Sequence, residues 1–539
     1  MLVTDSRPQP VTSNGVESMA EMAAPTPPPP AIRRLAKPVA VVAVLLFVAV
    51  QALMPSSGGS RPTGPASTAE LDAWFDRQMA DAAIPGAAMV VVRDGQVVDV
   101  HSYGAADDSG APITPSTPFM IGSLTKSMTA LAVMQLVEAG RLTLETGVVD
   151  VLPDFAVADS DATRSITIRQ LLDQTSGLPT AAGLRPLSTP VTSLAARVGE
   201  LRQVAPVSGP GVAFHYSNAN YLVLGRVIEA VSGSDFATYV RTHVFDPLGM
   251  RSTSTDLSTA QTEGLTRAHR LWFGQAPSST PLYRADMVPA GFVAASAADM
   301  GAYLLAQLGH SPAVISSDAL EVMHTGIASS GLPDQRYGFG WFDGTLGGAR
   351  VVSHTGSTTD MASMAVLVPS SDLGVVILMN GTSTLYETLH KPDTIGLAAT
   401  ALLLGQDPPG TIELLYPAFT GLAAIVIALI GFGIGRLVRR PIAVASSAGT
   451  PATSAEPRWR RAARYAYRGY VDVVVPIAIV LLVPAYFATD WSVMARIDIG
   501  QVLLAIAALR VLDGVVRVGR VGIARHRRPK TTAAALAAT

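Results

Sequence analysis

The 539-residue chain contains no cysteine. That absence excludes a disulfide framework, a thiolate nucleophile and a zinc-cysteine site, and it leaves the redox character of the compartment unmarked. Lysine is almost as scarce, with only Lys37, Lys126, Lys391 and Lys530 in a chain whose Lys and Arg together number 39. The net charge of -2 conceals a skew, because acidic residues lie mainly between Glu70 and Glu413 while arginines crowd the start and the last third. This distribution argues against a nucleic-acid-binding protein. No Gly-x-Ser-x-Gly elbow occurs and the scattered histidines lack zinc-ligand spacing, which removes two other hydrolase classes. No internal repeat is found.

What is abundant is apolar sequence, 49% of the chain, more than a purely soluble protein usually carries. Residues 1–37 are rich in Pro, Ala and Ser, lack an apolar period and end in Arg33, Arg34 and Lys37, the pattern of a disordered cytoplasmic leader. Residues 38–55 are uncharged beyond Lys37 and read as a signal anchor or a signal peptide, with Val50-Gln51-Ala52 as a cleavage motif. In both cases the basic flank stays inside and the following chain is exported. A Ser/Gly/Pro linker (56–66) precedes a domain expected over 67–405. Its opening signal is Ser67-x-x-Glu70, a capping box for an amphipathic helix running to about Ala83. Two β-rich runs, Ala88 to Val92 and Val97 to Tyr103, flank Asp94-Gly95, a two-residue hairpin signal.

Beyond that domain, residues 414–435 have the length and apolarity of a transmembrane helix and are followed by Arg436, Arg439 and Arg440. A basic loop (436–470) expected in the cytoplasm leads to a second span (471–490). A third (497–516) is interrupted by Arg510 and Asp513, so an interfacial amphipathic helix is its alternative. The basic tail (517–539) would then be cytoplasmic.

Three constellations carry chemistry. In Phe119-Met-Ile-Gly-Ser-Leu-Thr-Lys126 an extended, Pro-led segment enters a helical pattern ending at Gly140, which places Ser123 at a helix N-terminus. Lys126, one of two lysines in the exported domain, lies three residues on and therefore on the same face. A desolvated lysine loses its proton near neutral pH and can activate a serine; an arginine cannot. Alone, a serine three residues before a lysine is equally a solvated helix face. The second constellation, Phe214-His-Tyr-Ser-Asn-Ala-Asn-Tyr221, opens a helix from about Tyr221 to Val231. There Tyr216 could shuttle a proton and Asn218 could hold a carbonyl, or the whole is an aromatic-capped turn. The third, His354-Thr355-Gly356, falls between strand patterns at about Ala349 to Ser353 and Met361 to Val368, where a glycine on a strand edge admits substrate backbone. A second His-Thr-Gly at His324 sits on a helical stretch and reads as coincidence.

Ser-x-x-Lys, Tyr-x-Asn and His-Thr-Gly in this order and spacing resemble the penicillin-recognising serine hydrolases, the family of class C β-lactamases, D-alanyl-D-alanine carboxypeptidases and related esterases. The phrases Leu171 to Pro179, Tyr216 to Gly225 and Tyr337-Gly-Phe-Gly-Trp341 are similar to stretches of that family in the same order, and the likeness spans about Glu70 to Leu404. It implies an α/β (α+β) fold of the β-lactamase/transpeptidase kind: a mainly antiparallel sheet with flanking helices plus a helical lobe, Ser123 at their junction.

The resemblance further implies that Ser123 attacks a carbonyl, that Lys126 and Tyr216 handle its proton, and that Asn218, His354, Thr355, Gly356 and Ser357 face the substrate. The oxyanion would be held by the amides of Ser123 and Ser357, and neither metal nor cofactor is required. The expected partners are a small-molecule or peptide substrate and the lipid bilayer. His354 departs from the family, many of whose members carry lysine there. A mostly neutral histidine attracts a substrate carboxylate less. This shifts the expectation from an efficient β-lactamase towards an esterase, amidase or D-amino-acid peptidase. The competing reading is a non-catalytic sensor that binds, or is acylated by, a wall fragment or β-lactam and couples to the membrane helices.

Overall fold

Eight strands make one antiparallel sheet, and its central members Ala362–Val368 and Leu373–Met379 are buried at every position because both faces are covered. In a computed structural model of the chain, the described residues are 64–184, 193–271, 275–311, 314–332, 334–382, 392–409 and a few between 508 and 516. They belong to a unit spanning Arg61–Thr539. The leader 1–37, the segment 38–55, most of the linker 56–66, and residues 414–435, 436–470, 471–490 and 517–539 lie outside the described residues; of the segment 497–516 only its second half is partly described. Among the described residues no helix is long and apolar enough to cross a membrane.

The strands in chain order are β1 (Gly86–Arg93), β2 (Gln96–Gly104), β3 (Pro118–Met120), β4 (Ala268–Arg270), β5 (Ser278–Ser279), β6 (Ala294–Ser296), β7 (Ala328–Ser329), β8 (Arg336–Tyr337), β9 (Phe342–Leu346), β10 (Ala349–Ser357), β11 (Ala362–Val368), β12 (Leu373–Met379) and β13 (Gly381–Thr382). The main sheet runs β2-β1-β12-β11-β10-β9-β8-β7, so the first hairpin docks beside the last strand of that sheet in chain order. That hairpin closes through Asp94 and Gly95, both at positive φ (51° and 73°), with Arg93 opposite Gln96. Positive φ at both central residues matches the right-handed twist of the strands.

Alternation along β1 explains the layers. Ala87, Met89 and Val91 face one side, where α1 (Thr68–Asp81) presents Leu71, Phe75 and Met79 beside Ile395, Ala399 and Leu403 of the helix Pro392–Leu403. Ala88, Val90 and Val92 face the other side and share a core with Met300, Tyr303 and Leu304 of the helix Ala297–Gln307 and with the helical lobe. Each fully buried valine contributes about 1.5–3 kcal/mol through removal of apolar area from water. The capping box at α1 forms as its sequence implies: Ser67 Oγ accepts from Glu70 N, and Ser67 N donates to Glu70 Oε2 at 2.9 Å.

At the junction lies α2 (Thr125–Glu138), buried on nearly every side, its polar Lys126, Ser127 and Thr129 included. α3 (Asn218–Ser232), whose apolar face is equally buried, packs beside it. Two details differ from the sequence expectation. The third motif does not lie between two strands, because β10 continues through His354-Thr355-Gly356 to Ser357 and turns only at Thr358–Met361. The lobe helix begins at Asn218 and not at about Tyr221, since the Ser217 backbone is extended and releases the chain into the helix one residue later.

Candidate active site

β3 pairs with β6 (Met120 opposite Ala294), and Ile121 N donates to Val293 O at 3.0 Å. This anchored strand feeds a 3-10 turn, Gly122–Leu124, before α2 starts. Ser123 is therefore held on a tight turn at a helix entrance, half-buried while its neighbours Gly122 and Leu124 are fully buried. One turn along, Lys126 is completely enclosed, and its Nζ donates to Ser123 Oγ at 2.9 Å and to the Ala290 carbonyl at 2.5 Å. Burial lowers the ammonium pKa from 10.5 to about 7. Among the described residues no carboxylate is bonded to it to oppose that shift, and desolvation is what lowers it.

Tyr216 places its ring 5.0 Å from Lys126 Nζ, and Tyr221 places its own at 5.8 Å. Burial pushes the Tyr216 phenol upward, and a hydrogen bond with Ser123 works in the opposite direction. Desolvation favours the neutral form of each group, so Lys126 is the one poised to lose a proton near neutral pH while Tyr216 stays a phenol.

The loop carrying Tyr216 is stapled to the segment Asp173–Thr180. Gln174, a non-glycine residue at φ 64°, accepts His215 N on its carbonyl at 2.8 Å and Ser217 N on Oε1 at 2.9 Å. Gln174 Oε1 also accepts from Asn220 Nδ2. Ser217 Oγ donates to Pro179 O at 2.9 Å, and Thr180 Oγ1 to Tyr216 O at 2.7 Å. Sequence reasoning noted the phrase containing Gln174 but gave that residue no role. Its only signal was the polar run Asp173 to Ser176 inside an apolar pattern.

His354 lies 2% exposed among aromatic rings, with centroids 5.3 Å from Phe342, 5.8 Å from Tyr337 and 6.0 Å from Tyr216. Nδ1 sits 2.6 Å from the Thr355 carbonyl, which only accepts, so Nδ1 bears the proton and Nε2 accepts from the Tyr337 hydroxyl at 3.2 Å. Burial first, and the nearby Lys126 charge second, lower its pKa to about 3. The ring is thus a neutral wall of the site behind Tyr216, and Tyr337 is a supporting residue that the sequence did not single out.

Gly356 has a different reason from the one its sequence suggested. A Cβ there would lie 2.0 Å from the Ile121 carbonyl oxygen and 2.2 Å from Ser363 Oγ, so the missing side chain makes room for the strand leading to Ser123 and not for substrate. Ser363 Oγ closes this contact by donating to Ile121 O at 2.8 Å. Gly122, at φ 53°, repeats the theme, since a Cβ would meet Ser357 N at 2.3 Å. This approach brings the Ser357 amide against the Gly122-Ser123 backbone, the two donors expected to face an oxyanion. β9 pairs with β10 only as far as Ser353, so among the described residues the stretch from His354 to Ser357, including half-buried Thr355, has no ladder partner on that side. Asn218, by contrast, directs its amide to the Gly183 carbonyl at 3.3 Å. Ser123, Lys126, Tyr216, His354 and Ser357 are brought together.

A fold of this topology with a serine, a buried lysine and a tyrosine at the lobe junction defines a serine hydrolase of the penicillin-recognising class. The family model described as Beta-lactamase matches residues 71–400, and the chain belongs to that family. It is 31% identical over 323 residues to Penicillin-binding protein 4 of Amycolatopsis lactamdurans, a match covering 57% of this chain and 84% of the relative. It is 28% identical to Protein flp of Staphylococcus aureus (strain MW2), over 58% of this chain and 63% of that protein's length. Among solved structures it is similar to the octameric penicillin-binding protein homologue from Pyrococcus abyssi, at 26% identity and a TM-score of 0.59, covering 67% of this chain and 82% of the other.

Proposed function

We propose that the chain is a membrane-anchored hydrolase that cleaves amide or ester bonds through an acyl-enzyme on Ser123, with its catalytic domain outside the cytoplasm. The observation that carries this reading is the enclosed Lys126 amine, 2.9 Å from Ser123 Oγ and titrating near pH 7. At neutral pH about half of such a lysine is free amine, and it takes the Ser123 proton as Oγ bonds to the substrate carbonyl carbon. The amides of Ser123 and Ser357 receive the oxygen that gains charge. Collapse of that intermediate breaks the bond to the leaving amine or alcohol, which takes the proton back from the Lys126 ammonium, directly or across the Tyr216 phenol. Water then enters by the same route in reverse and frees the acid.

The neutral state of His354 weakens its pull on a substrate carboxylate, so esters, amides and D-amino-acid peptides rank above β-lactams, with esters and simple amides, which need no such carboxylate, least affected. Membrane anchoring rests on the arginine-flanked apolar segments at 38–55, 414–435 and 471–490.

The test is the intact mass of the purified full chain, followed over time after mixing with an activated ester, a penicillin and a D-Ala-D-Ala peptide, beside Ser123→Ala. A transient adduct and product release, both absent from the variant and fastest with the ester, are expected. An adduct that forms and persists with every reagent would favour the sensor reading. The absence of any adduct or turnover overturns the acyl-enzyme.

A further inference from the structure

Behind the nucleophilic turn runs a buried polar chain that the chemistry above does not use. Ser127 Oγ donates to the Leu124 carbonyl at 2.7 Å, and the Tyr303 hydroxyl, from the helix Ala297–Gln307, meets Ser127 Oγ at 2.8 Å. Gln307 Nε2 lies 3.1 Å from the Tyr303 oxygen, and His324 Nε2 lies 2.9 Å from Gln307 Oε1. Ser127 and Tyr303 are 0% exposed, Gln307 2% and His324 4%. The second His-Thr-Gly, read from sequence as coincidence, therefore supplies one end of this chain.

Its polarity follows from its last atom. A carbonyl only accepts, so the single Ser127 proton goes to Leu124 O, and Tyr303 must then donate to Ser127. The Tyr303 oxygen is left to accept from the Gln307 amide, whose own oxygen accepts from a protonated His324 Nε2. Burial, reinforced by the nearby Arg350 charge, holds the His324 pKa near 3, so the ring stays neutral. Trp341 packs edge-on against that ring at 5.9 Å and 88°. A Cβ on Gly340, at φ 78°, would stand 2.7 Å from Ser127 Cα, so the Gly-Phe-Gly-Trp segment presses directly on α2 where the chain enters.

We infer that Ser127, Tyr303, Gln307 and His324 form a one-directional positioning relay that holds the Leu124 carbonyl, and with it the turn presenting Ser123 to Lys126. Every donor points toward the residue after the nucleophile, and each link needs a particular hydrogen-bonding group. An apolar core of the same shape would pack as well and leave Leu124 O without its side-chain donor. None of the four is assigned contact with substrate. Loss of a link lets the turn drift, which lowers the rate of bond formation without altering how substrate is held.

The inference rests on Ser123 being acylated, so the experiment reads acylation directly. Single-turnover acylation of the full chain by an activated ester gives a maximal rate constant and a half-saturating concentration for wild type, Tyr303→Phe, Ser127→Ala and the double variant. A roughly tenfold lower rate constant is expected in each single variant, with half-saturation within about twofold and the pH midpoint unmoved, and the double variant no slower than the singles. His324→Leu should behave like Tyr303→Phe, whereas His324→Gln, which keeps an N–H donor for Gln307, should restore the rate; this pair carries the test if Tyr303→Phe does not fold. Unchanged rates in the single variants, multiplying effects in the double, or equal rates in the two His324 variants overturn the relay while leaving the acyl-enzyme intact. A wild type that is never acylated overturns both.

Discussion

Desolvation acts on Lys126 and Tyr216 with one rule and two results: it removes the positive charge of an amine near pH 7 and keeps a phenol protonated. In the proposed mechanism Lys126 acts in its unprotonated form. As pH rises through about 7 the amine fraction rises, so the acylation rate should climb by about tenfold per pH unit below that point and level off above it. A pH profile of single-turnover acylation measures this directly, and a rate that falls between pH 6 and 8 would assign the base elsewhere. Lys126→Arg keeps length and charge but cannot lose a proton, and should cost roughly 10²- to 10⁴-fold in acylation rate with the fold retained by circular dichroism. Activity close to wild type in that variant would be incompatible with Lys126 as base. These residue-level features were legible in the sequence, because the rarity of lysine made Lys126 conspicuous. Gln174, Tyr337 and Tyr303 were not legible: each acts through a partner distant in the chain, and no local spacing reports a hydrogen bond from Tyr303 to Ser127.

Elements meet at this site through backbone contact, and glycines set the clearance. β10 passes so close to the turn that Gly356 and Gly122 each face backbone atoms of the other segment. Gly356→Ala forces a methyl to within 2.0 Å of the Ile121 oxygen, and the surrounding contacts, a sheet strand and a bonded Ser363, have little freedom to yield. The expected outcome is a loss of about 3 kcal/mol or more in unfolding free energy, read from denaturant melts. Acylation should fall as well, since the Ser357 amide moves with the strand. A variant as stable and as fast as wild type would mean that the two segments separate more easily than their packing suggests. The hairpin at Asp94-Gly95 and the capping box at Ser67 were readable because turn and cap chemistry is local. Continuation of β10 through the third motif was not, because Gly356 is a poor strand marker and the strand state of Thr355 and Gly356 is set by pairing with Met364 and Ser363 of β11.

At the scale of the whole molecule, the described fold accounts for residues 64–409 with internal breaks, while the apolar runs on either side of it carry the localisation argument from sequence alone. Arg33, Arg34 and Lys37 before the first run, and Arg436, Arg439 and Arg440 after the next, would both be retained in the cytoplasm, which requires the domain between them to stand outside. On this reading a cleaved first segment and an uncleaved one would give the same sidedness, because a span at 414–435 would still return the chain inward. The site would then be one that reagents can reach without crossing the bilayer. A charged, membrane-impermeant acylating reagent added to intact cells expressing the chain should label it as fully as it labels detergent-solubilised protein, and Ser123→Ala should abolish both signals. Labelling that appears only after solubilisation, with the wild-type protein active, would place the domain on the cytoplasmic side and reverse the orientation. A chain recovered in the supernatant without detergent would remove the anchor while leaving the chemistry of Ser123 and Lys126 untouched.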